Sequence, residues 1–445
     1  MKILIIGNGF DVEHKLPTKY TDFLEFCEKF LANSEQKSDF PDDLHEEFSE
    51  LRDNVWLAHL LERYHENRLL GDKWIDFERE VRLVIGILED VHLVGPTYKE
   101  RPQRNFFGSL TGQDSDTNWF QRFKNALQVK KSVLLEKSDK YAVALSEFMF
   151  EELMQFTRAF EIYCVCVVDK HVEDYAGRHG IVEACAEAAQ LRSCLPSLQK
   201  DLEFKRSRHK TRLSSWDDGD KIKKDYLDAE TAYDVAKMRI YELDTTNAAL
   251  NLPLTKLDFD CVLSFNFTST YETLYNSRNA KFCYIHGKAQ PEKGKTDMIF
   301  GIDETLTKES GSDKHFTFAK FKKYFQRIVN ETGSEYKDWI AEMLKLAAPN
   351  NKPYEVHIIG HSLDATDHEI LKEFFAVAEG LNHDKAHIYI YYHDEIAKVR
   401  LIEKTIEMIG KDELIKRVHG NNKNISFINQ YDSDKGIINA MADGI

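Results

Sequence analysis

"KILIIGNGFDVEHKLPT", residues 2–18, decides the fold. The run Ile3 to Ile6 reads as a short buried strand, and Gly7-Asn8-Gly9 ends it. Glycine at 7 and 9 permits positive φ and close backbone approach, so main-chain N–H groups there are able to face a phosphate. A plain structural turn explains the same residues equally well. After Leu16-Pro17, the residues Tyr20, Phe23, Leu24, Cys27, Phe30 and Leu31 recur at helical spacing, with Thr18 as the expected N-cap. A strand, a glycine turn and a helix in succession open an α/β sheet.

Working outward, the next two hundred residues read differently. Trp74, Phe77, Val81, Val84, Ile85 and Leu88 form one helical stripe, and residues 140–170 and 220–250 read as long, charge-rich helices. Residues 101–118 are polar and rich in Gly and Asp, which reads as a loop. Strand patterns return in "DCVLSFNF" (260–267), "KFCYIHG" (281–287), "MIFGI" (298–302), "YEVHIIG" (354–360), "AHIYIYY" (386–392) and "ISFIN" (425–429). Helical patterns at 365–379 and 395–410 separate several of them, so the sheet is expected to be parallel. The expected fold is α/β, a Rossmann-like parallel sheet interrupted by a large, mainly α-helical insertion. Residues 1–34 and 255–445 form the nucleotide-binding domain in this reading, and 35–254 the insertion.

Composition narrows the class. At 445 residues with 42% hydrophobic and 12% aromatic content, the chain can bury a sizeable core without disulfides. A net charge of -15 argues against an extensive nucleic-acid surface and against docking on anionic lipid. The seven cysteines include no C-x-x-C pair, which suits a reducing compartment and disfavours a four-cysteine zinc site. No run approaches the length of a membrane span or a signal-peptide core, so a cytoplasmic protein is the expectation.

Ligands of open α/β sheets bind where strands end at their carboxyl side. Four predicted strand ends carry chemically distinctive residues: Gly7-Asn8-Gly9-Phe10-Asp11, Asn266-Phe267-Thr268, His286-Gly287, and Gly360-His361-Ser362-Leu363-Asp364 with Asp367 beyond it. Each alone is weak. Position 12 is Val, so the full G-x-G-x-x-G of ordinary dinucleotide dehydrogenases is absent. Together they place a glycine turn, an amide, an imidazole and a hydroxyl on one sheet edge.

The set resembles a sirtuin-like NAD-binding domain, whose motifs run G-A-G-x-S, G-I-P, T-Q-N-I-D, H-G and G-T-S-L. Here "GNGFD…LP", "SFNFT", "HG" and "GHSL" occur in the same order, with ten residues from Gly7 to Pro17 and twenty from Asn266 to His286. A resemblance over a longer span is to the AbiH family of bacterial abortive infection, carried by "ILIIGNGFD", "LPTKYTDFL", "LSFNFTSTYETLY", "YIHG" and "IIGHSLDATDHEIL". It implies a bacterial antiphage protein. The sirtuin-like motifs imply NAD or a related nucleotide as its ligand, the cost of unchecked NAD loss to the host implies autoinhibition relieved by a phage-derived trigger, and the helical content offers a route to a homo-oligomer. The departures matter too. No zinc ribbon is present, so no metal is expected and protein deacylation is disfavoured. Thr268 replaces the Asp that follows the sirtuin Asn, and the Arg after the sirtuin Pro is missing from Thr18-Lys19-Tyr20.

The resemblance implies roles for individual residues. His286 would be the base that accepts a proton from water, with a pKa expected near neutrality. Asn266 would hold the ribose and the water. Gly7, Asn8, Gly9 and Phe10 would face the pyrophosphate side of the pocket, with Phe267 lining it. Gly360 and Ser362 would hold a ribose or phosphate. Asp11 bonds a ribose hydroxyl or caps the turn, and Asp367 caps a helix or meets the adenosine ribose. Glu78, bordering its helical stripe, either pairs with Arg79 or Arg82 or enters the site. Tyr391 and Tyr392 stack on a base or are simply buried alternately. The leading expectation is NAD hydrolysis to nicotinamide and ADP-ribose. The alternatives are a nucleotide-binding sensor and a metal-dependent nuclease using Asp303 and Glu304.

Overall fold

The computed structural model describes residues 1–32, 42–69, 77–82, 84–85, 138–178, 181–211, 219–249, 259–275, 280–290, 296–302, 318–346, 353–379, 381, 385–420 and 423–432. Six strands make one sheet: β1 (Lys2–Ile6), β2 (Cys261–Ser264), β3 (Lys281–Tyr284), β4 (Tyr354–Ile359), β5 (Ala386–Tyr392) and β6 (Ile425–Asn429). Their spatial order is β3-β2-β1-β4-β5-β6 and every pairing is parallel. This is the Rossmann-like order, in which the winding direction reverses between β1 and β4 and leaves a crevice at their carboxyl ends.

The strands read as unbroken apolar runs because a parallel sheet is covered on both faces. Ile3 and Ile5 point into one core with Leu263, Ile358, Ile388, Trp339 and Phe374. Leu4 and Ile6 point into the other, with Val262 and the helical residues Phe23, Trp56, Phe77, Phe156 and Tyr163. The helical segment between β1 and β2 therefore shares a core with the sheet. It contributes the helices Val55–Leu69 and Ser138–Tyr163, a π-helical turn at Cys164–Asp169, and the paired helices Ile181–Thr211 and Gly219–Ala249. Arg239 and Glu187 join the last two at 2.7 Å. Phe77, Val81, Val84 and Ile85 of the expected stripe are all buried, whereas Trp74, Leu88 and the 101–118 loop lie outside the described residues.

Two expectations need correcting. Residues 298–302 do not join the sheet as a strand: Ile302 forms an isolated parallel bridge with Lys322, and Ile299 N–H donates to His286 O at 2.8 Å. The amide of Gln326 takes the place of a neighbouring strand: Phe300 N–H donates to its Oε1 at 3.0 Å, and its Nε2 donates to Phe300 O at 2.7 Å. Gly301 permits this packing, since a Cβ there would lie 2.3 Å from Phe321 O. Gln326→Leu would strand both buried backbone groups and is expected to lower stability by about 2–4 kcal/mol in denaturant melts. Thr18, in turn, is not the hydrogen-bonded cap of helix Tyr20–Ala32, as its buried hydroxyl has no partner. Asp22 does that work by accepting Lys19 N–H at 3.0 Å, the carboxylate half of a capping box.

Candidate functional site

The loops after β1 and β4 are locked together. Gly7 N–H donates to Ile359 O at 3.1 Å and Gly9 N–H donates to Gly360 O at 2.8 Å. A Cβ on Gly7 would sit 2.7 Å from Gly360 O, and one on Gly360 would sit 2.2 Å from Phe10 N. Gly360 also has φ +64°, a conformation that favours glycine. These glycines let two backbones touch. The expectation that Gly7 and Gly9 N–H groups face a pyrophosphate is thereby corrected, because both are engaged across the crevice. The ring of Phe10 is likewise turned inward, against His14 at 4.6 Å and Tyr275 at 6.1 Å. Asn8 and Ser362 are exposed at the mouth.

Asn266 follows β2 and crosses to β1, its Nδ2 donating to Gly7 O at 3.1 Å. Its Oδ1 is buried and has no partner. Thr268 Oγ1 donates to Asp11 Oδ2 at 2.5 Å, and Asp11 Oδ1 is left without a partner. Asp11 is therefore bonded sideways to the β2 loop and does not cap the turn.

Burial pushes the Asp11 carboxyl up to about 6, against the lowering effect of bonds from Thr268, Thr270 and Asn266. A carboxyl raised above its unfolded value of about 3.9 stabilises the fold below that value and loses the contribution as pH rises through about 6. Asp11→Asn mimics the protonated form. Its melting temperature is expected to climb relative to the parent between pH 4 and 7, reaching an advantage of up to about 3 kcal/mol. Paired melts across that range check this.

The densest chemistry lies around Asp367. Its Oδ1 is 3.4 Å from His286 Nε2 and 3.5 Å from Lys323 Nζ, and its Oδ2 is 3.5 Å from His361 Nε2. Burial alone would raise this carboxyl, but Lys323 and the bonds from both histidines outweigh it and hold it well below the usual range. Leu363 N–H donates to His361 Nδ1 at 2.9 Å, which puts that ring's proton on Nε2, facing Asp367. Leu363 adopts φ +54° although it is not glycine, and His368 Nε2 meets its carbonyl at 2.9 Å. A proton on His286 Nε2 likewise satisfies Asp367 and leaves Nδ1, which is buried without a partner, as a free acceptor.

His286 does not sit near neutrality as expected. Burial first, then the charge of Lys323, pushes it down to about 4 despite Asp367. The imidazole is thus neutral at physiological pH. Phe267 closes this side of the site by stacking on Phe300 at 5.2 Å.

Two expectations about carboxylates are settled by contacts. Asp367 does not cap helix His368–Val377, as no cap bond forms there; its carboxylate serves the histidines and Lys323. Glu78 reaches the site, with Oε1 2.5 Å from Lys323 Nζ. His361 belongs to the distinctive Gly360–Asp364 strand end, but the sequence gives it no role of its own, and it gives Lys323 none. Lys323 sits among Lys320 and Lys322, where a lysine ordinarily faces water; its one signal is the helical register it shares with Gln326, opposite Phe325, Ile328 and Val329. Tyr391 and Tyr392 are buried in the two opposite cores. Among the described residues, no group of three or more His, Cys, Asp or Glu is placed to hold a metal ion. Asp303 and Glu304 lie outside them.

The strand order and the polar edge at its reversal define a Rossmann-like α/β protein whose candidate site lies at the carboxyl ends of β1 to β4. The chain matches the family described as Bacteriophage abortive infection AbiH over residues 3–172 and 187–392, and it belongs to that family. No curated protein and no solved structure matches it. Among the described residues, no helix is long and apolar enough to cross a membrane.

Proposed function

We propose that this abortive-infection protein is a sirtuin-like NAD hydrolase that releases nicotinamide and ADP-ribose in the cytoplasm. The observation that carries the reading is a pair of buried, unpartnered acceptors, His286 Nδ1 and Asn266 Oδ1, on adjacent strand ends beside the β1–β4 crevice. A ribose hydroxyl and a water supply the donors these atoms lack.

In the reaction, the bond between the ribose anomeric carbon and the pyridinium nitrogen breaks, and its electron pair neutralises the nicotinamide. Water adds to the oxocarbenium-like carbon, and its proton passes to His286 Nδ1 and then to solvent. The leaving group departs neutral, and water becomes acidic as it bonds to the cationic carbon. A weak base therefore suffices, which accommodates a histidine held at about 4. Asp367 keeps the His286 proton on Nε2 and the ring in place.

The same low basicity supports a second reading, a sensor that binds a nucleotide without cleaving it. The NAD content of phage-infected bacteria expressing the chain decides between them. A collapse of NAD that requires His286 supports the hydrolase, and protection from phage with NAD unchanged supports the sensor.

A further inference from the structure

With the Gly7 and Gly9 N–H groups engaged, a phosphate-bearing ligand needs another source of positive charge. Helix Lys323–Asn330 supplies one through an inverted arrangement. It buries Lys323 and Gln326 while Phe325, Ile328 and Val329 are exposed. Burying an ammonium group is costly unless it is paired, yet this helix is pinned with Lys323 inward by the Gln326 bonds to Phe300 and by Lys323 N–H to Ile302 O at 3.0 Å. Lys323 is only 4% exposed. Arg327, one turn further along, acts on His286 through its charge and has a buried Nε without a partner.

The anions facing these cations are unequal. Asp367 is held by two histidines as well as Lys323. Glu78 has Lys323 and the Thr366 hydroxyl as partners while its Oε2 is buried without one, and it comes from the helical segment instead of the sheet. Burial pushes its carboxyl up, against the pull of Lys323. Glu78 is thus the less securely held anion of the network. His286, which shares Asp367 Oδ1 with Lys323, has its Nδ1 buried without a partner, as has Asn266 Oδ1 on the neighbouring strand end.

We propose that Lys323 and Arg327 form an anion subsite for a phosphate or diphosphate group, and that the Glu78 carboxylate occupies Lys323 until such a group displaces it. The subsite rests on the reading of the crevice as a nucleotide pocket, and it deepens that reading by naming where the ligand's charge is met. Loading the ligand then frees Glu78, so the helical segment senses occupancy of the site.

The test is calorimetric titration of the full chain with inorganic pyrophosphate and, separately, with ADP-ribose. Glu78→Gln keeps the shape, removes the competing charge and leaves Lys323 paired with Asp367. It is expected to bind pyrophosphate about ten-fold more tightly than the parent, and Lys323→Met is expected to bind none. Since Lys323→Met removes the shared cation from two half-buried carboxylates, its melt is recorded alongside, and the Glu78→Gln result decides if that variant unfolds. Equal or weaker binding by Glu78→Gln, or no pyrophosphate binding by either protein, overturns the subsite. Tighter binding by Glu78→Gln in a chain that leaves NAD intact refutes the hydrolase alone, and NAD cleavage with no effect of Glu78→Gln refutes the subsite alone.

Discussion

His286→Ala is expected to lower NAD turnover by about 10²–10⁴-fold, the range for loss of a positioned base. Substrate affinity should change little, because in the proposed reaction Nδ1 acts on water and not on the dinucleotide. The KM against kcat split is therefore the informative readout. The variant should fold, since Asp367 keeps Lys323 and His361 as partners. Asn266→Ala is expected to lower kcat and to weaken binding as well. Its Oδ1 is free for a ribose hydroxyl, while its Nδ2 bond to Gly7 O ties the β2 loop to β1. A His286→Ala protein that turns NAD over at the parent rate removes the imidazole from the chemistry.

The largest effect on stability is expected at Gly360. Its φ of +64° disfavours any side chain, and a Cβ there would lie 2.2 Å from Phe10 N and 2.5 Å from the Gly9 carbonyl carbon. Neither neighbour can yield, because both are backbone in the loop that seats Asp11 and Asn266. Gly360→Ala combines the left-handed backbone cost of about 1–2 kcal/mol with a main-chain clash. A total loss of about 3–5 kcal/mol, or failure to fold, is the expectation, read from denaturant midpoints. Gly410→Ala is the control. Its φ of +89° with ψ 150° is essentially a glycine conformation and its Cβ would meet nothing within 4 Å, so it should cost a backbone term alone, about 1–3 kcal/mol. Equal losses at the two positions would show that the interlock of the β1 and β4 loops contributes little.

The sheet was legible because a parallel strand covered on both faces leaves a short, continuous apolar run, as in Ile3–Ile6 and Ala386–Tyr392. "MIFGI" carries the same signal and is buried just as deeply, yet a glutamine side chain replaces its neighbour. No local pattern reports that exchange. The meeting of Gly7, Asn266, His286 and the Gly360 loop was legible for a topological reason: they follow strands β1 to β4, which the strand order sets side by side. What the glycines do there was not. Two turns that touch and a turn that cradles phosphate use the same residues, and only the partner of each N–H distinguishes them. Lys323 was hidden by distance along the chain, since a buried lysine has no local signature until its carboxylate is found, whereas Glu78 was legible as a carboxylate bordering an apolar helical stripe although its partner was not.

The central claim is that the crevice between β1 and β4 cleaves NAD. The most direct measurement is chromatography of NAD incubated with the purified full chain at high concentration, with His286→Ala run in parallel. The account predicts nicotinamide and ADP-ribose in equal amounts from the parent chain and neither from the variant. Intact NAD in both incubations, or equal cleavage in both, would contradict it.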